Sequence, residues 1–170
     1  MIKKVRETSI PTTSILLQQF DTVDFQDAFA FYTHNNSLSI KDLYISLFST
    51  APKWVEVLMK IRNKLVSIFG LKTEISRNID TDFKVGDKIG IFKIYDIQDN
   101  EIIAGENDKH LDFRVSIYRE ININSKITVS TIVKYNNWFG KLYFLIVTPF
   151  HKLVVKSMVK QAAVSINKSD

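Results

Sequence analysis

The sequence predicts an α+β fold in which a curved antiparallel sheet is covered on its apolar face by a long C-terminal helix. Apolar and polar residues alternate through most of 83–147, apolar residues recur at helical spacing in 52–70 and after Thr148, and short polar turns cut the alternating part into hairpin-sized pieces. The 170 residues, 45% hydrophobic and 24% charged, suit one domain spanning 1–170 with a core of its own. No linker, repeat or low-complexity tract divides it, and only the stretch before Pro11 reads as extended or disordered.

In chain order, Phe25, Asp27, Phe29 and Phe31 alternate with Gln26, Ala28, Ala30 and Tyr32, which predicts a strand over 23–33. Ser39 followed by Asp42 has the spacing of a capping box, so a short helix is expected over 40–48. Pro52 suits the first turn of a second helix and Gly70 its left-handed end, with Trp54, Leu58, Ile61, Leu65 and Ile68 as its apolar stripe. Strands are then expected at 88–97, 101–105, 110–120, 126–135 and 138–147, divided by Asp99-Asn100, Asn107-Asp108-Lys109, 122–125 and Asn136-Asn137. Short connections imply antiparallel neighbours, with Gly86 and Gly90 serving a turn and a bulge. Thr148 as cap and Pro149 as first-turn residue open the last helix, whose stripe is Phe150, Leu153, Val154, Met158, Ala162 and Ile166. Lys152, Lys156 and Lys160 line its other side.

Composition excludes several kinds of chemistry. There is no Cys, hence no thiolate nucleophile and no disulfide framework. His34, His110 and His151 are scattered and no EF-hand spacing occurs, so no metal site is expected. A P-loop, a G-x-G-x-x-G and a G-x-S-x-G elbow are all missing, and no cofactor is expected. The charge of +5 is spread among acidic residues without a recognisable module, which argues against nucleic acid as partner. The basic start MIKKVRETSIPTT lacks the apolar core of a signal peptide, and the longest apolar run, LYFLIV, is far too short to span a bilayer. The expectation is a cytoplasmic chain with no transmembrane segment.

The order of elements resembles the helix-grip fold of the birch-pollen-allergen and START-type (SRPBCC) superfamily, with one strand fewer than that fold usually has. The segments DFQDAFAFYT (24–33), APKWVEVLMKIRNKLVSIFGLK (51–72), GENDKHLDFRVSIY (105–118), VSTIV (129–133) and GKLYFLIVTPFHKLVVKSMV (140–159) together resemble a bacterial family catalogued as a domain of unknown function. The resemblance runs from about residue 20 to 165 and implies a fold without an activity. Members of the superfamily variously bind apolar ligands, transfer lipids or cyclise polyketides, so a function taken from it is analogy.

Within 110–118, Leu111, Phe113, Val115 and Ile117 should face the last helix, and His110, Asp112, Arg114, Ser116 and Tyr118 the opposite side. As a solvated row, Asp112 and Arg114 form a pair worth about 0–1 kcal/mol. As a cavity rim, Arg114 grips a ligand carboxylate or phosphate while Asp112 orients His110 or Arg114. As a catalytic set, the three would serve an enzyme of cyclase or hydrolase type, whereas His151, in the first turn of the last helix, reads as a packing or capping residue. The expected role is to hold a small, largely apolar molecule or lipid between sheet and C-terminal helix. Phe29, Phe31, Phe92, Phe113, Phe144 and Met158 form its lining, and Arg114, His110 or Tyr143 its polar contacts. An interaction module with a solid core is the third reading. Trp138-Phe139 is either an exposed aromatic tip or folded under the sheet, and the row of Lys152, Lys156 and Lys160 beside an apolar stripe could meet a membrane surface.

Overall fold

The computed structural model describes residues 5–49, 52, 54, 82–89, 92–120 and 125–168, so the second helix expected at 52–70, apart from Pro52 and Trp54, and the bulge expected at Gly90 lie outside the described residues. The alternating segments pair as an antiparallel sheet of β1 (Arg6–Glu7), β2 (Phe25–Thr33), β3 (Lys88–Ile89), β4 (Phe92–Ile97), β5 (Glu101–Asn107), β6 (Leu111–Glu120) and β7 (Ser125–Tyr135), in the order β1-β2-β7-β6-β5-β4-β3. The hairpins from β4 to β7 run as the turns predicted, whereas the single strand expected at 88–97 is two, β3 and β4, paired antiparallel with Lys88 opposite Lys93 and Ile89 opposite Phe92; β2 closes against β7 in unbroken register from Phe25 opposite Val133 to Thr33 opposite Ser125. The sequence reading also lacked β1, which pairs with β2 ahead of Pro11. Gly86, with φ +97°, makes the tight turn before β3.

Helix α1 (Ile40–Ser49) starts as its capping box requires: Ser39 N donates to Asp42 Oδ2 (2.9 Å) and Asp42 N donates to Ser39 Oγ (3.1 Å). Its buried residues Leu43, Tyr44 and Leu47 meet Phe29, Phe31, Ile117 and Val129 from the sheet and Val159, Ala162 and Ile166 from the last helix, forming the main core. The layout is that of a helix-grip domain, a sheet wrapped around its C-terminal helix.

That helix, α2 (Trp138–Ile166), is the principal correction to the sequence reading, because the strand expected at 138–147 is its first half. Its start is set at Asn137, whose side chain accepts from Gly140 N at 3.0 Å. Asn136 N donates to His110 O (2.9 Å) and Asn137 Nδ2 to Lys109 O (3.0 Å), so the two asparagines fasten the helix start to the β5–β6 turn instead of turning between strands. A Cβ at Gly140 would stand 1.9 Å from the carbonyl oxygen of His110, and only glycine permits that approach. Thr148 does not cap; its Oγ1 donates back to Phe144 O at 2.6 Å. Pro149 does not open the helix but lies inside it. The carbonyl that loses its helical donor is one turn back at Leu145, a residue 70% exposed. The expected stripe splits accordingly: Ala162 and Ile166 are buried and Met158 half-buried, but Phe150 and Leu153 face solvent.

The sheet's other face is covered by the N-terminal segment, with a 3₁₀ turn at Ile15–Gln18. Leu16 is buried against Ile103 and Ile132, with half-buried Ile10, Ile15 and Phe20 around it. Full burial of one such side chain contributes roughly 1.5–3 kcal/mol, against about 1–2 kcal/mol per residue for ordering the chain. Apolar contact alone is too little to hold a segment of this length. Glu101, buried on β5, supplies the rest, accepting from Ser14 Oγ (2.5 Å), Ile15 N (2.9 Å) and Ser116 Oγ. Thr13 Oγ1 and Tyr118 Oη add a bond of 2.8 Å.

Two consequences can be measured. Gly140→Ala is expected to lower stability by about 2 kcal/mol or more, since the added carbon meets backbone on a second element; a urea melt within about 0.5 kcal/mol of wild type would refute this close approach. Glu101→Ala leaves three donors unpaired, the Ser14 and Ser116 hydroxyls among them buried, and is expected to cost about 2 kcal/mol or more. In hydrogen exchange its amides at 9–20 should open sooner while those of β6 and β7 keep their protection.

Candidate functional site

Between β2, β7 and α2 the apolar core is interrupted by three polar side chains. The alternation of FQDAFAFYT places Asp27 in the inward set with Phe25, Phe29 and Phe31, and VSTIV turns Thr131 inward between Val129 and Val133. Asp27 and Thr131 lie directly opposite each other on neighbouring strands. From α2, about four turns from its start, His151 brings Nε2 to 3.2 Å from Asp27 Oδ2.

The carboxylate is 6% exposed and Thr131 2%, while the imidazole is partly open to solvent. Aromatic rings wall the imidazole: Phe25 edge-on at 5.7 Å and Phe144 at 5.9 Å, with Tyr135 beyond Phe144 at 5.8 Å. The Asp27–His151 approach has the distance of an ion pair without the alignment of a hydrogen bond. Both oxygens of Asp27, Thr131 Oγ1 and His151 Nε2 are buried without an aligned partner. A buried carboxylate in that state is unusual, because buried polar groups nearly always find partners.

The residues expected from sequence fall into three places. Phe113, Tyr143 and Phe144 gather with Leu111, Val133, Phe25 and Tyr135 in one aromatic cluster that adjoins Asp27 and His151. Phe29, Phe31, Phe92 and Met158 belong instead to the main core. Asp112 and Arg114 interact electrostatically beside Tyr95, while the His110 ring is turned to Phe139 and Asn137. His110 lies at the start of α2, its ring 4.8 Å from that of Phe139 and its Nδ1 3.2 Å from Asn137 Nδ2. Asp112 Oδ1 accepts from Asp108 N (3.1 Å) and Asn136 Nδ2 (2.9 Å), closing the β5–β6 turn.

Arg114 does emerge on the face away from α2, as the alternation predicts, yet it is only 5% exposed. Its guanidinium lies 3.5 Å from the ring centre of Tyr95 and 4.9 Å from that of Phe20, and Nη1 donates to Phe113 O at 2.8 Å. The side chain runs across Gly105, where a Cβ would meet Phe113 O at 2.1 Å and Arg114 Cδ at 3.0 Å. A register shift between Ile94 and Asp96 accompanies Tyr95 at this position. Burial pulls the Arg114 guanidinium below its ordinary value and pushes the Tyr95 phenol up, each partly countered by the other's charge. Arg114 is thus held as a stacking element between sheet and N-terminal segment.

His151 was expected in a first turn, where the helix dipole disfavours an imidazolium. With α2 beginning at Trp138 it lies mid-helix, so that argument does not apply. Asp27 was read only as one member of an alternation. The available signal was an acid at an inward position among Phe25, Phe29 and Phe31, where a carboxylate is out of place unless something pairs with it. A recess of about 350 Å³ also opens on the opposite face, between Ser9–Thr13 and Tyr118, Glu120 and Lys126. It is a mainly polar notch beside the N-terminal segment.

Residues 19–158 match the model of a family described as protein of unknown function (DUF2867), a span that holds Asp27, Thr131 and His151. No curated protein and no solved structure matches the chain.

If Arg114 works by stacking, Arg114→Lys should lower stability by about 1–2 kcal/mol, since lysine keeps the charge but loses the planar contact with Tyr95 and Phe20. A melt indistinguishable from wild type would refute that role.

Proposed function

The chain belongs to the DUF2867 family of proteins of unknown function, and from that premise we propose that it binds a small molecule with an apolar body and one polar head in the seam between the sheet and α2. The head sits on Asp27, Thr131 and His151, and the body lies against Phe25, Tyr143 and Phe144. The observation that carries the reading is the Asp27 carboxylate, buried without an aligned hydrogen-bond donor beside the Thr131 hydroxyl and the His151 imidazole nitrogen, neither of which has an aligned partner. A carboxylate accepts only, so the head must offer a donor, and Thr131 can donate or accept in return. A hydroxyl or amino group meets both demands.

The 3.2 Å approach of His151 to Asp27 supports a second reading on the same residues. A carboxylate beside an imidazole orients it, and an oriented imidazole takes a proton from a bound hydroxyl or water. The cluster would then turn its ligand over, with His151 as base and Asp27 as the group that positions it.

Native mass spectrometry of the purified protein, repeated after denaturation, tests the binding reading. Wild type is expected to carry a small molecule that Asp27→Asn and Thr131→Val release. Thr131→Val should also melt at or above the temperature of ligand-free wild type, because it removes a buried hydroxyl without a partner at nearly constant shape. A protein that is empty on purification and shows no thermal shift with lipids, alcohols or amines would overturn the proposal and favour an interaction module. A retained compound chemically altered by wild type and unaltered by His151→Ala would favour the catalytic reading.

A further inference from the structure

Helix α2 turns its inward side to the sheet through Phe144, His151, Val159, Ala162 and Ile166, and its first half turns a second apolar side outward. Trp138, Leu142, Leu145, Ile146, Phe150 and Leu153 are all exposed, Trp138 by 75% and Leu145 by 70%. They recur at helical spacing along one stripe about 22 Å long. Isolated exposed apolar residues need no explanation, but six on four successive turns of one helix do.

The charges of the helix indicate what covers the stripe. Lys141, Lys152, Lys156 and Lys160 are its only charged residues, all four are exposed, and no acid accompanies them from Trp138 to Ile166. Lys152 reaches Glu7 at 3.3 Å, while Lys156 and Lys160 continue the outward side beyond Leu153. We propose that this side of α2 docks on the surface of an anionic lipid bilayer, with the six apolar side chains at the acyl boundary and the lysines among the phosphates. An apolar stripe, lysines without acids and a Trp at one end are the features of an interfacial helix, and the net charge of +5 draws the whole chain to the same surface.

Two other occupants fit less well. A second copy meeting this side symmetrically would bring one row of lysines against the other. Crossing the bilayer is allowed by length and composition, since the helix has 29 residues with a most apolar window of mean hydropathy 1.4. Yet Val159, Ala162, Ala163 and Ile166 are buried in the domain core, so crossing would require its second half to be pulled out of the sheet.

The full chain is mixed with vesicles of phosphatidylcholine alone or with added phosphatidylglycerol, and flotation is measured at low and high salt. Wild type is expected to float with the anionic vesicles at low salt and to lose roughly tenfold or more in partition at high salt. Lys156→Glu with Lys160→Glu should cause a comparable loss. Leu145→Ser with Phe150→Ser should abolish binding while leaving the thermal melt unchanged, because both side chains already face solvent. The proposal is overturned if anionic vesicles are ignored, if neutral vesicles bind equally, or if bound protein resists alkaline extraction as a spanning helix does. A dimer that dissociates on Leu145→Ser with Phe150→Ser, and persists among anionic vesicles, would assign the stripe to a second copy instead.

Discussion

One close approach decides the geometry of this domain: Gly140 lies against the carbonyl of His110, with Asn136 and Asn137 binding the same turn. It fixes where α2 begins and in which rotation it meets the sheet. Helical geometry then leaves no freedom about the rest, because a rotation set at residue 140 is inherited at about 100° per residue along the helix. His151 arrives opposite Asp27, Val159 and Ala162 enter the core, and Leu145, Phe150 and Leu153 are left outside. A bulkier residue at 140 would disturb the site and the exposed stripe together, although it touches neither.

The two faces of the sheet solve the problem of a buried carboxylate in opposite ways. Glu101 on the outer face has three donors aimed at it, and it fastens the N-terminal segment in exchange for its burial. Asp27 on the inner face is as deeply buried and has no aligned donor. Desolvating a carboxylate is costly, and without compensation it is the kind of local inconsistency that folding stability alone would remove. Satisfied on one side and without an aligned donor on the other, the pair separates an acid that fastens the fold from the one on which the binding proposal rests. The same contrast applies to cations: Arg114 spends its charge on Tyr95, Phe20 and a backbone carbonyl.

Where structure follows from neighbours in sequence, the fold was legible. The capping box of Ser39 and Asp42, the alternation in β2 and β6 and the polar turns between β4 and β7 all act within a few residues of themselves. The start of α2 was not legible, since WFGKLYFLIV is an apolar run that suits a buried strand and a helix equally, and Pro149 resembles a first-turn residue. Only the contact of Gly140 with His110, far away in sequence, resolves the choice. Arg114 shows the same limit, because alternation gave its side of the sheet but not the N-terminal cover that buries it. Of the candidate site, the sequence reading named Phe113, Tyr143 and Phe144, which pack in the aromatic cluster beside Asp27 and His151, and passed over the polar centre. It depends on a helix register that the misread start had displaced.

The proposed site and the proposed membrane contact share one stretch of α2. His151 faces inward between Phe150 and Leu153, which face out, so the polar cluster and the exposed stripe are separated by about the width of one helix. What each asks for is chemically compatible. The ligand proposed for the seam has an apolar body with a hydroxyl or amino head, and a bilayer is where such molecules dissolve and can be supplied at high local concentration. Docking through Leu145 and Phe150 would also orient the wall of the site, since Phe144 packs by the imidazole ring on one side while its exposed neighbour Leu145 would meet lipid on the other. On the two proposals together, one helix would carry ligand binding on one side and membrane docking on the other with no moving part between them.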